Sequence, residues 1–205
     1  MPAEIREFLG SFLRNGPCLV GQVSVFPDFT LCHADDAERD DSTIFRDPHD
    51  ALIIARYDDQ GEYRPLKTAP NLRHGWALRL KSLEETTLAL DFLYPAALGT
   101  ARAFAQGTLK SVNLRETLGR QTGMYAVTRK ISDEQAESTI ARTCNHMNGC
   151  VRHILWSISA GRPSSLSREE TDIHCPASEI PILCAEACNL LVAAARKVVK
   201  SSAAA

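Results

Sequence analysis

No stretch of this 205-residue chain stays uncharged for the roughly 18–20 residues that a membrane span requires. No excess of one charge exists either: 23 Lys and Arg face 25 Asp and Glu, for a formal net charge of -2. That balance provides no global field for gripping nucleic acid or an anionic membrane, and leaves only a local basic patch open. The sequence lacks a P-loop, a G-x-G-x-x-G turn and a G-x-S-x-G elbow, so the common phosphate cradles and serine-hydrolase chemistry are not indicated. It contains no nucleic-acid-binding motif and no internal repeat. The N-terminal MPAEIREFLGSFLRN mixes acids and bases with its apolar residues, which reads as an amphipathic helix rather than a signal peptide. A cytoplasmic location is the expectation.

Cysteine, by contrast, is plentiful. Seven residues are present, and five of them fall between positions 144 and 188. An odd number without a secretory signal argues against a disulfide scaffold. Cys18 and Cys32 stand alone in apolar, strand-like runs, and read as small buried hydrophobes.

The pattern along the chain predicts an α+β fold. Ile5, Phe8, Leu9, Phe12 and Leu13 share a helix face over 3–14, which ends near Asn15-Gly16-Pro17. A strand over 19–26, a turn at Pro27-Asp28 and a strand over 29–33 form a hairpin. The acidic run 35–41 reads as a solvated loop; it lacks the Gly and closing Glu of a calcium loop. Residues 48–57 form a short helix or strand. The segment 61–76 has two prolines, which argue against regular structure, yet it carries Arg64, Lys67 and Arg73 beside Tyr63 and Trp76. Such a loop is a candidate anion-binding surface or a plain packed loop. Two helices broken at Tyr94-Pro95 fill 83–104, a helix over 114–124 carries Arg115 and Arg120, and 125–128 suits a short strand. Ser132 and Gln135 form a capping box for a helix running to about Cys144. Apolar helices are expected over 151–158 and 184–200. Residues 1–127 thus make a small antiparallel sheet with helices, 128–200 a helical cysteine-rich region, and 201–205 a tail.

Four cysteines form the pattern Cys144-x5-Cys150, a gap of some thirty residues, then Cys184-x3-Cys188. Two short-range pairs far apart in sequence are how a fold gathers four thiolates at one metal centre. If the last turn is helical, Cys184 and Cys188 point the same way at a helix start, where the dipole favours thiolate charge. Structural zinc prefers tighter C-x2-C knuckles, and the looser spacing suits separate corners of a [4Fe-4S] cube. Zinc, and clustered thiols without metal, are the alternatives. His146, His174 and Cys175 are spare donors.

The C-x5-C…C-x3-C order is similar to the cluster motif of siroheme-dependent sulfite and nitrite reductases. In that family the last cysteine bridges cluster and siroheme, a role that would fall to Cys188. A broader resemblance rests on Gly21-Gln22-Val23, Tyr63-Arg64-Pro65-Leu66-Lys67, Gly75-Trp76, Tyr94-Pro95, Arg120-Gln121-Thr122-Gly123-Met124-Tyr125 and the terminal cysteines. Over roughly 15–200 the chain resembles the C-terminal [4Fe-4S]-binding region attached to sirohydrochlorin cobaltochelatase-related (CbiX-like) proteins. The resemblance implies a [4Fe-4S] fold with Cys144, Cys150, Cys184 and Cys188 as ligands, and a link to tetrapyrrole metabolism. No chelatase domain precedes the segment and no histidine pair in the chelatase setting is evident, so chelatase activity is not implied.

The leading expectation is an iron–sulfur protein with a redox or accessory role in siroheme or cobalamin metabolism, its partner a redox protein, chelatase or reductase. A second is an enzyme or carrier with siroheme or a related anionic tetrapyrrole beside the cluster. Arg64, Lys67, Arg73, Arg115 and Arg120 would meet its carboxylates, and Tyr63, Trp76 and Tyr125 its ring. The arginines could equally form internal salt bridges. A third is a non-catalytic module stapled by cluster or zinc. Neither nucleic acid nor membrane is an expected partner, and no catalytic residue is assigned.

Overall fold

Apolar residues at helical spacing form α1 (Ala3–Leu13), which buries Leu9 and Leu13 and packs Ile5, Phe8 and Phe12 against the same core. The structure, a computed structural model, describes residues 2–57, 60–63, 71–144, 150–160, 173 and 176–202. The run expected as one strand over 19–26 is two, β1 (Cys18–Val20) and β2 (Val23–Val25), paired antiparallel with Val20 opposite Val23. Gly21 makes the break with φ +60°, a value that primed hairpin turns require at their first central position. Valines on both sides preserve the look of a continuous strand, so a single glycine was the one signal of the turn.

β3 (Thr30–His33) follows the expected turn at Pro27-Asp28 and pairs antiparallel with β2. Then come β4 (Thr43–Phe45), α2 (Asp50–Ile54) and β5 (Trp76–Arg79). α3 (Leu83–Leu93) and α4 (Ala97–Ala105) break at Tyr94-Pro95 as expected. Next are α5 (Leu114–Gly119), a 3-10 helix over Gly123–Lys130 and α6 (Asp133–Thr143). Ser132 and Gln135 do form a capping box at the start of α6. The chain closes with β6 (His153–Ile154), β7 (Glu179–Ile180), β8 (Leu183–Cys184) and α7 (Asn189–Ser202).

Among the described residues, six strands form one sheet in the order β4-β5-β3-β2-β1-β7. The sheet is mixed, not antiparallel as expected. Its four inner strands run antiparallel, whereas β4 on β5 and β7 on β1 are parallel. Tight turns enforce antiparallel pairing only between sequence neighbours, and both edge strands meet partners reached through long connections. The edge strand β7 comes from the cysteine-rich region, so that region and the sheet share backbone hydrogen bonds.

Two larger apolar cores follow. The first lies under the sheet and gathers Val20, Val23, Leu31 and Trp76 with Leu9, Leu90 and Tyr94. Ile180 and Ile182 complete it from the C-terminal region. The second joins α5, α6 and α7 through Leu118, Ala136, Leu191, Val192 and Ala195.

Four helical or strand expectations need correction. The helix expected over 114–124 ends at Gly119. Residues 125–128 lie in the 3-10 helix rather than a strand. The segment 151–158 is not a helix: its Val, Ile and Trp suit extended backbone, and β6 pairs parallel with β8. A short apolar run cannot separate these two outcomes by periodicity. For the same reason Cys184 is a strand residue, and the final helix starts only at Asn189.

Candidate metal centre

Cys144 terminates α6, where its N–H bonds the Ile140 carbonyl at 2.8 Å. Cys150 opens the next described stretch and packs against the first core with Val151. Cys184 ends β8 opposite Ile154, and its carbonyl accepts from Leu155 N at 3.0 Å. Cys188 immediately precedes α7, and its carbonyl accepts from Val192 N at 3.1 Å. Cys184 and Cys188 therefore do not share a helical turn, which corrects the expected geometry. Only Cys188 stands at a helix N-terminus. Cys144, Cys184 and Cys188 pack against the second core, so the four thiols span the seam between the two cores.

The turn between the last two cysteines is held from outside. Val112 N bonds the Ala185 carbonyl at 2.9 Å. The Glu186 carboxylate accepts from Thr117 Oγ1 at 3.2 Å and pairs with Arg120. Below it, Arg152 donates to the Leu183 carbonyl at 3.0 Å and to the Pro95 carbonyl at 2.8 Å. The backbone positions of Leu183 to Cys188 are thus fixed by α5, by the α3–α4 corner and by β6.

All four cysteines are free and partly exposed. Burial pushes the Cys144 thiol up to about 12, with further upward pressure from Cys188, Cys150 and Cys184. The other three cysteines therefore lie near enough to act on Cys144. Burial also raises Cys184; its sulfur accepts from Trp156 Nε1 at 3.3 Å, which opposes the rise, as does Arg152, while Cys188 and Cys150 add to it. The Cys184 thiol donates to the Glu186 carbonyl at 3.1 Å. Among the described residues only His33, Asp36 and His74 bring three metal-donor atoms within 4.8 Å of one another. Four unpaired thiols with apolar cover are a set of soft donors suited to a thiolate-ligated metal group.

Comparison with known proteins bears on this region directly. Residues 106–197 match the family described as a 4Fe-4S iron-sulfur cluster binding domain. The match supports a 4Fe-4S cluster as the group this region binds. Residues 12–104 match the DR2241 stabilising domain. Among solved structures, the chain is similar to DR2241 from Deinococcus radiodurans, with 26% identity and a TM-score of 0.79. That protein is described as multi-domain, with structural similarity to chelatases and two additional novel domains. The alignment covers 97% of this chain and 41% of DR2241, so this chain spans less than half of that protein. No curated protein matches the chain.

The basic candidates fare differently. Arg64 and Lys67 lie outside the described residues, as do His146, His174 and Cys175. Arg73 offers its carbonyl to Trp76 Nε1 at 2.7 Å. Arg115 donates to the Ile131 carbonyl at 2.6 Å and pairs with Asp133, and Arg120 pairs with Glu186. Both are engaged within the fold. Trp76 is core, 1% exposed, and cannot stack on a ligand; Tyr63 is open at 69%, and Tyr125 lies under the Arg196 guanidinium. Sequence reasoning missed Arg152 and the Trp156 hydrogen bond to sulfur; the position of Arg152, two residues beyond Cys150, was the available signal. Cys18 and Cys32 are buried as expected.

Proposed function

We propose that the chain is a [4Fe-4S] protein whose ligands are Cys144, Cys150, Cys184 and Cys188, with a redox or accessory role linked to tetrapyrrole metabolism. The observation that carries the ligand set is four free thiols gathered at one seam, inside the region that matches the 4Fe-4S cluster binding domain. Such a cluster supplies one-electron transfer when bound. The chain itself contributes thiolates, apolar shielding by Trp156 and Leu191, and a hydrogen bond to the Cys184 sulfur that favours the more negative, reduced state. Partial exposure of all four cysteines supports electron exchange with a partner protein, since a cluster used only as a staple gains nothing from solvent proximity.

The tetrapyrrole link rests on the resemblance to CbiX-like proteins and on the likeness to DR2241, itself chelatase-like. The engagement of Arg115 and Arg120 in internal pairs reduces the cations free to meet an anionic macrocycle.

The test begins with anaerobic reconstitution, dithionite reduction and EPR. A spin-half signal that disappears on reoxidation supports a redox centre. A cluster that resists reduction across the accessible range would leave only the structural role. Titration of the holoprotein with siroheme then separates the tetrapyrrole link: a saturable spectral shift supports it, and no shift at high concentration removes it while leaving the cluster intact.

A further inference from the structure

The acidic run 35–41, expected as a solvated loop, folds one of its carboxylates inward. Asp36 ends a 3-10 turn over Ala34–Asp36 and is only 7% exposed. Pairing of β3 with β5, with Cys32 opposite Ala77, draws the end of β3 towards the residues just before Trp76. His33 and His74, forty-one positions apart, are thereby brought together beside Asp36, their ring centroids 4.0 Å apart and the rings tilted by 50°.

We propose that His33, Asp36 and His74 form a metal site, separate from the cysteines, for one divalent first-row transition ion. One donor atom from each lies within 4.8 Å of the other two. Donors on one tetrahedral ion, at about 2.0–2.1 Å from it, stand roughly 3.4 Å apart; the Asp36 Oδ1 to His74 Nδ1 distance is 3.5 Å. Two imidazoles and one carboxylate are borderline donors that favour zinc, cobalt, nickel or ferrous iron over calcium or magnesium.

The donors are held in place before any ion arrives. The ring of His33 is almost wholly buried, with Nδ1 accepting from Asp35 N–H at 3.2 Å; to bind an ion through Nε2 the ring takes the other tautomer, its Nδ1–H turned to the Asp35 carboxylate 3.7 Å away. Gly75 N donates to Asp36 Oδ2 at 2.6 Å, leaving Oδ1 towards the histidines. Arg39, 3.5 Å from Oδ1, is the nearby opposing charge; Asp41 engages its Nε and Nη2. His74 is half exposed, and a cavity of about 500 Å³ lined by Asp36, Glu38 and Asp40 together with Arg39 and Arg79 lies beside the site. The half-exposed His74 gives an ion its way in, and three protein donors leave room for a further ligand.

The site does not depend on the cluster, and cobalt keeps the two apart. The full chain, its cysteine centre first reconstituted anaerobically, is titrated with Co2+ and followed by absorption, then with Zn2+ by calorimetry. The expected result is about one equivalent bound with ligand-field bands and no thiolate-to-cobalt charge transfer. His74→Ala and Asp36→Asn, both checked for an unchanged thermal melt, should each weaken binding by at least about tenfold. His74→Gln serves as a second variant if His74→Ala fails to fold. Absence of a nitrogen- and oxygen-ligated cobalt spectrum overturns the proposal. So does a spectrum showing thiolate ligation alone, or binding that persists undiminished in the variants.

Discussion

Each cysteine answers to its surroundings. Cys144, Cys150, Cys184 and Cys188 are partly exposed and gathered at one seam, whereas Cys18 and Cys32 are packed into the interior. Single Cys→Ser changes at the four should therefore cut the iron bound on reconstitution by half or more, while Cys32→Ala leaves it unchanged; colorimetric iron analysis checks both. Trp156→Phe keeps the apolar cover but removes the hydrogen bond to the Cys184 sulfur. Its cluster should assemble normally and show a lower reduction potential in a redox titration, because the reduced state loses a donor. Gly21 gives a sharp stability test: a Cβ there would lie 2.1 Å from Ile182 Cδ1, at φ +60°. Gly21→Ala should cost about 2–3 kcal/mol in denaturant unfolding. Burial raises the Cys18 thiol from 9.0 to about 11. The folded protein then holds a proton that the unfolded chain releases, so this contribution to stability is complete below pH 9 and lost as pH rises towards about 11.

At the scale of elements, the sequence was most legible where local chemistry decides the outcome. The α1 stripe, the Tyr94-Pro95 break and the Ser132–Gln135 box all carry their instructions within a few residues. Ser132→Ala should cost roughly 1 kcal/mol of global stability, read by chemical denaturation. Legibility failed where a distant partner decides. Val151 to Ile158 looks apolar in either periodicity, and only the arrival of Leu183–Cys184 beside it makes a strand. Spacing of Cys184 and Cys188 at i, i+4 suggested a helical turn, yet β8 claims the first and α7 starts after the second. The parallel edges of the sheet were hidden for the same reason: pairing of β1 with β7 joins residues some 160 positions apart. The meeting of His33 with His74 was equally invisible, since neither lies in a motif and β3–β5 pairing alone unites them.

For the molecule as a whole, the cysteines sit where two cores meet, Cys150 on one side and the other three on the other. Ile180 and Ile182 continue the first core to within two residues of Cys184. A metal group at this seam would couple the two cores. Stripping it with a chelator should therefore raise hydrogen exchange at Leu155 and Val192, whose amides bond to Cys184 and Cys188 carbonyls. Exchange in β2 and β3, held by hairpin pairing and the first core, should change little. The identity of the metal group is the central claim. Iron, acid-labile sulfide and zinc should be measured per chain on protein purified anaerobically from iron-replete cells. The account predicts about four iron and four sulfide with negligible zinc; a colourless protein with one zinc and no sulfide would contradict it.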